Sequence, residues 1–448
     1  MAELFGTDGI RGMANRYPMT AEIALKTGRA VAEVFKNDGT KIIIGKDTRI
    51  SGDVFEHALI AGICSMGVDV IIAGVIPTPG VAYLAASMAD VAAGIVISAS
   101  HNPYYDNGIK VFKGDGFKPD NATEKKLEAF ILNGNQELLV EDVKITGQVT
   151  YLNDAGHMYQ DFLKTIIKSY KDLSGIKAVI DCSNGASSMI APEFFQAAGI
   201  EVFPLFTSPD GVNINDNCGS QHTDAMIRKV IETKADIGLA FDGDADRLIA
   251  VDETGRTVTG DQIIAICAKY AKEEGVLAGN CVVTTIMSNM GLVKAFRAMD
   301  IEHLMAGVGD RNVMVEMKKN GSVIGGEDSG HMIFLESHTT GDGMLSALKL
   351  LEVMHNRSKS LSELAKVMTV FPQKLVNVDV KSKPGIDSIP EIGEIIRKVE
   401  DALGETGRVL VRYSGTQAMC RVMVEAETTE DTEKYCDMIA VVISEIIG

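Results

Sequence analysis

No run of about 18 consecutive apolar residues occurs in the chain, so a membrane-spanning helix is not expected. Cysteine is scarce and unpatterned: there are seven, an odd number, with no C-x-x-C spacing. That argues against a disulfide framework or a zinc site and for reduced thiols in a cytoplasmic protein. Basic residues are outnumbered, 43 Lys and Arg against 61 Asp and Glu, for a net charge of −18. Such a surface argues against non-specific binding to nucleic acid or to an anionic membrane. It leaves room for an anionic small molecule in a locally basic cleft. The G-x-x-x-x-G-K-[ST] loop is missing, which argues against one common nucleotide-hydrolase class. The G-x-S-x-G elbow of many serine hydrolases is missing too. The opening "MAELFGTDGIRG" has neither a basic start nor a long apolar run, so no signal peptide is expected.

What is present is a weak internal repeat. With 448 residues the chain can build three or four ordinary cores. Residues 41–74, 177–206 and 280–309 each read as an apolar run, a polar loop, a helical pattern and a second apolar run. Gly67 and Gly199 stand where the first two helices should stop. Each unit is followed by a further short apolar run ending in a polar loop: "AAGIVISASHN", "ADIGLAFDGDADR" and "GSVIGGEDSGH". Three similar α/β domains with mixed sheets are the economical reading. After about residue 368 the pattern becomes alternating, as in "GRVLVRYSG" and "CRVMVEAE", with helical stretches at 388–403 and 430–446. This predicts a smaller C-terminal α+β domain. The expected domains are 1–150, 151–253, 254–368 and 369–448.

Ligands of open α/β sheets bind at the carboxyl ends of strands, so the polar loops there are the candidates. In "ISASHNPYYDNGIK", Ser100 follows the strand and small Ala99, and Lys110 lies beyond a "DNG" that can fold the chain back. His101 and Asn102 can fix the turn, and Pro103 stiffens its exit. A lone Ser-His pair is more often a polar turn. A Ser-His hydrolase is disfavoured because neighbours in an extended run point to opposite faces. In "DGDADR", Asp242, Asp244 and Asp246 alternate, a spacing suited to a hard cation such as Mg²⁺ or Ca²⁺. An EF-hand is the rival, since Glu253 falls at its twelfth position, but Arg247 sits where that loop needs Gly. A solvated acidic turn is the third reading. Three ligands leave a shell to be completed by an outside anion, which Arg247 can help hold. "GGEDSGH" offers Glu327, Ser329 and His331 for hydroxyl recognition and proton transfer, or is a plain glycine-rich turn. "RYSGTQAMCR" offers Ser414, Gly415 and Thr416 between Arg412 and Arg421, a phosphate nest or an ordinary β-turn. A hydroxyl nucleophile, a hard cation, hydroxyl readers and a phosphate clamp together suit phosphoryl transfer, without separating kinase, phosphatase and mutase.

With these residues in view the chain resembles the α-D-phosphohexomutase superfamily over nearly its whole length. The motifs are "LFGTDGIRG", "GIVISASHNPYYDNGIKVF", "DGVNIN", "FDGDADR", "TTIMSNMGL", "GGEDSGH" and "TTGDG", in the family's order. The resemblance implies four domains around a central cleft and a phosphoserine at Ser100. It implies Mg²⁺ held by Asp242, Asp244, Asp246 and the phosphate on Ser100. The implied reaction converts glucosamine 6-phosphate reversibly to glucosamine 1-phosphate through glucosamine 1,6-bisphosphate; a phosphomannomutase or phosphoglucomutase reaction is the alternative, and a non-catalytic sugar-phosphate-binding protein a remoter one. Glu327 and Ser329 would then read sugar hydroxyls. Arg412, Ser414, Gly415, Thr416 and Arg421 would hold phosphate, and Lys110 and His331 would be the acid/base groups. Arg11 and Arg247 would neutralise the phosphoryl, although Arg11 by itself reads as a surface arginine in a turn. A homodimer is also implied. Two departures bear on the substrate: "SGTQA" replaces the usual S-G-T-E-P, with Gln417 and Ala418, and Asp328 stands where Gln is usual.

Overall fold

The computed structural model describes residues 4–6, 8–133, 146–167, 170–414 and 418–448. It has two compact units, one of residues 1–287 and 301–366, the other of 288–300 and 367–448.

The first unit carries three sheets. The first contains β1 (Ile10–Met13), β2 (Lys41–Lys46), β3 (Asp69–Val75), β4 (Val91–Ile97), β5 (Asp106–Lys113) and β6 (Val149–Tyr151), ordered β1-β5-β4-β2-β3-β6. The second contains β7 (Lys177–Asp181), β8 (Glu201–Leu205), β9 (Ile237–Phe241), β10 (Leu248–Asp252) and β11 (Thr257–Val258), ordered β11-β10-β9-β7-β8. The third contains β12 (Cys281–Thr285), β13 (Glu302–Ala306), β14 (Ile324–Gly326) and β15 (Met332–Phe334), ordered β13-β12-β14-β15.

One plan recurs in all three. The first strand of each repeat (β2, β7, β12) pairs in parallel with the second and third, and an antiparallel fourth (β5, β10, β15) closes on the third. The sheets are therefore mixed, as expected. β4, β9, β10 and β12 are buried along their whole length, which is why they read as continuous apolar runs. The repeat extends to the turn after the first strand. There Asp47, Asp181 and Thr285 each accept the backbone N–H two residues on, from Arg49, Ser183 and Met287, at 3.0, 2.8 and 3.2 Å. Gly67 and Gly199 have positive φ just past the helices Gly52–Cys64 and Ala191–Ala197. The second sheet runs past residue 253, because the Asp252–Arg256 turn folds β11 back on β10.

The second unit is a three-stranded antiparallel sheet of β16 (Gln373–Asp379), β17 (Arg408–Tyr413) and β18 (Met419–Glu425), ordered β16-β18-β17. Helices Pro390–Leu403 and Thr429–Ile447 supply Ile392, Val399, Ile439 and Ile443 to its core. It also takes in the helix Met290–Ala298, from the stretch 254–368, whose first N–H groups donate to the buried Glu425 and to Asn289. No described helix is long and apolar enough to cross a membrane. All seven cysteines are free thiols.

Candidate active site

The three polar loops occupy one topological place: each joins the third strand of its repeat to the antiparallel fourth. In the first sheet, β4 ends at Ile97 and the chain returns as β5 from Asp106. "DNG" is thus the start of β5 and not a turn; the reversal lies at 98–105, where Asn102 N–H donates to Ala99 O and Asn102 Nδ2 to Asp106 Oδ2. Ser100 is buried, with φ +55° in the left-handed region. Its backbone is therefore not extended, and Ser100 Oγ and His101 Nδ1 lie together at 3.3 Å. The expectation that they face opposite ways is corrected by this turn. Burial, then the charges of Arg247 and Arg11, push His101 down to about 4, so its ring is neutral near pH 7.

Ser100 Oγ donates to Asp242 Oδ2 at 2.5 Å, across 142 positions of sequence. That contact joins the first loop to the second, between β9 and β10. Asp242, Asp244 and Asp246 are all buried, and one carboxylate oxygen from each lies within 4.8 Å of the others. Gly243 has no room for a side chain: a Cβ there would stand 2.6 Å from Ser100 O. Asp244 Oδ1 and Asp246 Oδ1 are buried without a hydrogen-bond partner. Two orphaned carboxylate oxygens beside a third carboxylate and a hydroxyl are the donor set of a hard cation, so the residues fit Mg²⁺. The EF-hand reading fails, because β10 follows directly and Glu253 accepts hydrogen bonds from Ser362 instead.

Lys110, on β5, points into this cluster. Its ammonium lies 2.7 Å from Asp244 Oδ2, 3.0 Å from Asp246 Oδ2 and 3.2 Å from Asp8 Oδ2. Burial opposes its charge, but the three carboxylates outweigh burial and hold it protonated well above its usual range. Burial and the neighbouring Asp246 and Asp244 carboxylates push Asp242 well up. Burial works the same way on Asp246, yet Lys110 and His331 overcome it and hold that carboxyl well below the ordinary range. Arg247 Nε stands 4.0 Å from Asp242 Oδ2 and 3.8 Å from Asp246 Oδ1. Arg11 lies on β1, opposite Gly108, and pairs with Asp8. It is therefore a half-buried strand residue and not an arginine in a surface turn.

In the third loop His331 is buried, with Nδ1 3.5 Å from Asp246 Oδ1 and Nε2 3.6 Å from Asp310 Oδ2. Burial lowers its proton affinity, but Asp246 more than offsets this and the net shift is upward. Glu327 Oε1 accepts from Gly309 N at 3.0 Å, and half-buried Ser329 sits near the tip. Asp328 is accounted for: its carboxylate accepts Asp261 N–H and its carbonyl accepts Gly260 N–H, at the start of the helix Gly260–Glu273.

The structure thus brings Ser100, Lys110, Asp242, Asp244, Asp246, Arg247, Arg11 and His331 together from three loops, β1 and β5. Several participants escaped the sequence reading. Lys118 bridges Asp8 and Asp310. Arg49 and Asn215 hold the carbonyls of the Ser100 loop. The available signal was position: Asp47-Thr48-Arg49 follows β2, and Asn215 closes the quoted "DGVNIN".

In the second unit Arg412 and Arg421 are direct cross-strand partners of β17 and β18. Ser414 N–H donates to Met419 O at 2.9 Å, and Lys383, unforeseen, donates to Ser414 O at 2.6 Å. Arg421 Nε is buried without a hydrogen-bond partner. Like charges directly opposite are unfavourable unless an anion joins them, so this hairpin suits a phosphate. Gly415 and Thr416, with Gln417, lie outside the described residues.

Family models for the phosphoglucomutase/phosphomannomutase α/β/α domains I, II and III match residues 2–138, 157–255 and 259–371, and that for the C-terminal domain matches 375–442. The chain is 56% identical over 451 residues to a phosphoglucosamine mutase of Syntrophus aciditrophicus, covering 100% of both chains. It is 49% identical over 449 residues to one of Carboxydothermus hydrogenoformans, again covering 100% of each. Among solved structures, a phosphoglucomutase/phosphomannomutase family protein of Burkholderia thailandensis matches with TM-score 0.81 and 24% identity, over 99% of this chain and 97% of that one. An Aspergillus fumigatus N-acetylphosphoglucosamine mutase, solved with GlcNAc-6P and magnesium, matches with TM-score 0.71 and 15% identity, over 98% and 95%. These matches run the length of a chain whose three α/β repeats and C-terminal sheet follow the same order, and it belongs to the phosphoglucomutase/phosphomannomutase family of phosphohexomutases.

Proposed function

We propose that this phosphohexomutase interconverts glucosamine 6-phosphate and glucosamine 1-phosphate, with Ser100 as the carrier of the phosphoryl group. The observation that carries the reading is the placement of Ser100 Oγ on Asp242, with Lys110, Arg247 and His331 around the same carboxylates. Identity of 49–56% to the phosphoglucosamine mutases quoted above supports the amino sugar as substrate. Asp328, a departure from the usual sugar loop, is engaged at the start of the helix Gly260–Glu273, where its carboxylate accepts Asp261 N–H.

In the forward direction the sugar O1 attacks the phosphorus on Ser100, the P–Oγ bond breaks, and the O1 proton and a proton for Oγ must be handled locally. His331 is the proton-transfer group, set between Asp246 and Asp310. Lys110, held as an ammonium, neutralises the transferring phosphoryl with Arg247 and Arg11, and can donate a proton to Oγ. Glucosamine 1,6-bisphosphate then returns its 6-phosphoryl to Ser100. Asp242, Asp244, Asp246 and the phosphate on Ser100 would hold Mg²⁺, which supplies charge neutralisation at that phosphate. Glu327 and Ser329 read sugar hydroxyls. Arg412, Ser414 and Arg421, with Gly415 and Thr416, bind a phosphate ester of the sugar. Free, largely buried thiols suit the cytoplasm.

Glucosamine, glucose and mannose 6-phosphates assayed in parallel test the substrate: the amino sugar should have the highest kcat/KM, and another ranking rejects the assignment. Intact mass and peptide mapping should show one phosphoryl, about 80 Da, on Ser100. Ser100→Ala should abolish turnover while sugar-phosphate binding persists; retained turnover rejects the nucleophile.

A further inference from the structure

We propose that Arg49 is the positioning residue that holds the phosphoryl-carrying serine in register with its carboxylate partner, a reading that rests on the mutase role of Ser100. The Arg49 guanidinium is wholly buried and ion-paired to equally buried Asp47, Nε to Oδ2 at 2.8 Å. Its remaining N–H groups donate to four carbonyls of one loop. One terminal nitrogen donates to Ser100 O at 2.9 Å and Asn102 O at 2.7 Å. The other donates to Asp106 O at 3.0 Å and to Pro103 O. Asp47 Oδ2 also accepts Ser98 Oγ at 2.6 Å, and Ser98 Oγ accepts Ser100 N–H at 2.9 Å. Both backbone polar groups of Ser100 are therefore tied to one ion pair. Asn215, from the second repeat, donates Nδ2 to Ser100 O and Asn102 O at 2.9 Å each.

This arrangement answers two physical difficulties. A non-glycine residue in the left-handed region is strained, and Ser100 stays there only if its surroundings over-determine it. Four carbonyl dipoles turned inward repel one another unless a cation sits among them. Arg49 supplies that cation in a planar fork, which a lysine cannot reproduce. With the carbonyls drawn in, Ser100 Oγ faces Asp242.

The repeat separates this role from a general structural one. All three repeats have the strand-end side chain that accepts the N–H two residues on. The residue donating it is Arg49 in the first, Ser183 in the second and Met287 in the third. The turn folds without a guanidinium in two cases out of three, and the arginine occurs where the serine is the nucleophile.

The test uses the full-length enzyme with Mg²⁺ and measures steady-state kinetics, thermal unfolding and Ser100 phosphorylation. Arg49→Lys should lower kcat about 10²-fold with KM within about twofold, the size expected for an ångström-scale misplacement. Arg49→Ala should regain about 10-fold in kcat on addition of guanidinium ion and nothing from ammonium at equal concentration, because only the planar fork fits the carbonyls. A folded Arg49→Lys enzyme with kcat within about threefold of wild type, or with its whole loss in KM, overturns the proposal. Should neither Arg49 variant fold, Asn215→Ala decides it, since it removes the second donor to two of the carbonyls and leaves the ion pair: kcat about 10-fold lower at unchanged KM supports the role, unchanged kcat rejects it. Failure of the mutase reading itself shows differently, as wild-type enzyme with no phosphoryl on Ser100 and no sugar-phosphate interconversion.

Discussion

Adding one methyl group at Gly341 should disable the site while leaving the fold in place. A Cβ there would stand 2.3 Å from His331 Nε2, 2.5 Å from Cε1 and 2.6 Å from Cδ2, so it would meet the edge of the imidazole ring. Ordinary contact is about 3.4–4 Å, and the ring must therefore retreat by roughly 1 Å. The backbone at Gly341 is not in the left-handed region, so alanine adds a steric load and no conformational strain. His331 has little room to yield, being buried and placed 3.5 Å from Asp246 Oδ1 and 3.6 Å from Asp310 Oδ2. Overpacking of this kind costs about 1–3 kcal/mol in stability. A displacement of about 1 Å of a group that moves a proton costs about 10²-fold in kcat. The assay is steady-state turnover of Gly341→Ala, His331→Asn and the double variant. If the methyl acts through the ring, the two effects are strongly non-additive, and Gly341→Ala costs little once His331 is gone. A folded Gly341→Ala enzyme with kcat within threefold of wild type, or fully additive losses in the double variant, refutes the reasoning.

Acid should destabilise the protein partly through His338, whose Nε2 donates to Pro79 O at 2.9 Å while Nδ1 accepts Thr339 N–H at 2.7 Å. Burial pushes its folded-state value down to about 4, so the unfolded chain binds the proton first, and stability is lost as pH falls from about 6.5 towards 4. Asp342, pushed up to about 7 by burial, works the opposite way in that window, because the folded chain takes up its proton before the unfolded one; a variant at His338, which keeps Asp342, is what isolates the histidine. Denaturant midpoints should show wild type losing up to about 3 kcal/mol more than His338→Gln between pH 7 and 4; equal losses exclude the contribution. Mg²⁺ at 100 times its dissociation constant should stabilise wild type by about 2.7 kcal/mol in a melting assay. Asp242→Asn should abolish that gain yet melt no lower than wild type in chelator, since it replaces a carboxyl whose charge burial and two neighbouring carboxylates already disfavour; a variant that still responds to Mg²⁺ contradicts the site. Arg412→Ala should raise KM about 10- to 100-fold, the worth of charge-assisted hydrogen bonds to phosphate, with kcat little changed; unaltered KM removes that residue from the clamp.

Most of the architecture could be read from the chain because buried parallel strands and alternating half-exposed strands leave different periodicities. β4, buried throughout, shows as a continuous apolar run, while β16 alternates exposed with more buried residues and β17 is half-exposed along its length. The polar loops were legible for a related reason. Asp242, Asp244 and Asp246 are three charges where a strand has just ended, and a buried sheet has no other use for them. The errors were local. Ser100 looked extended because nothing in "SASHN" announces a positive φ; that angle is imposed by Arg49 and Asn215, from 51 and 115 residues away. Lys118 and Asp310 were missed for the same reason, since their bridge spans 192 residues and neither sits in a marked motif. Glu253 at an EF-hand position is a coincidence of spacing that Arg247, in the glycine position of such a loop, already argues against in the sequence; in the structure its partner is Ser362.

Charge balance explains how so acidic a chain can serve an anionic substrate. Around Ser100 the first unit gathers six carboxylates, on Asp8, Asp242, Asp244, Asp246, Asp310 and Glu327, against four fixed cations, on Arg11, Lys110, Lys118 and Arg247. His331 adds one positive charge when protonated, and Asp242 removes one negative charge when burial keeps it neutral. The protein alone is thus near neutral or mildly negative there, a poor host for a phosphate ester bearing close to two charges. A divalent cation on the three aspartates would bring that balance to neutral, or to one net positive charge with His331 protonated, without any basic residue being added. On the function proposed above, its charge would also fall beside Ser100 Oγ, the proposed phosphoryl carrier, and would not be spread over the surface. The same carboxylates that would repel the substrate are what can recruit the ion that admits it. Phosphate affinity and metal affinity should therefore be linked at this site, each ligand tightening the other by the same factor.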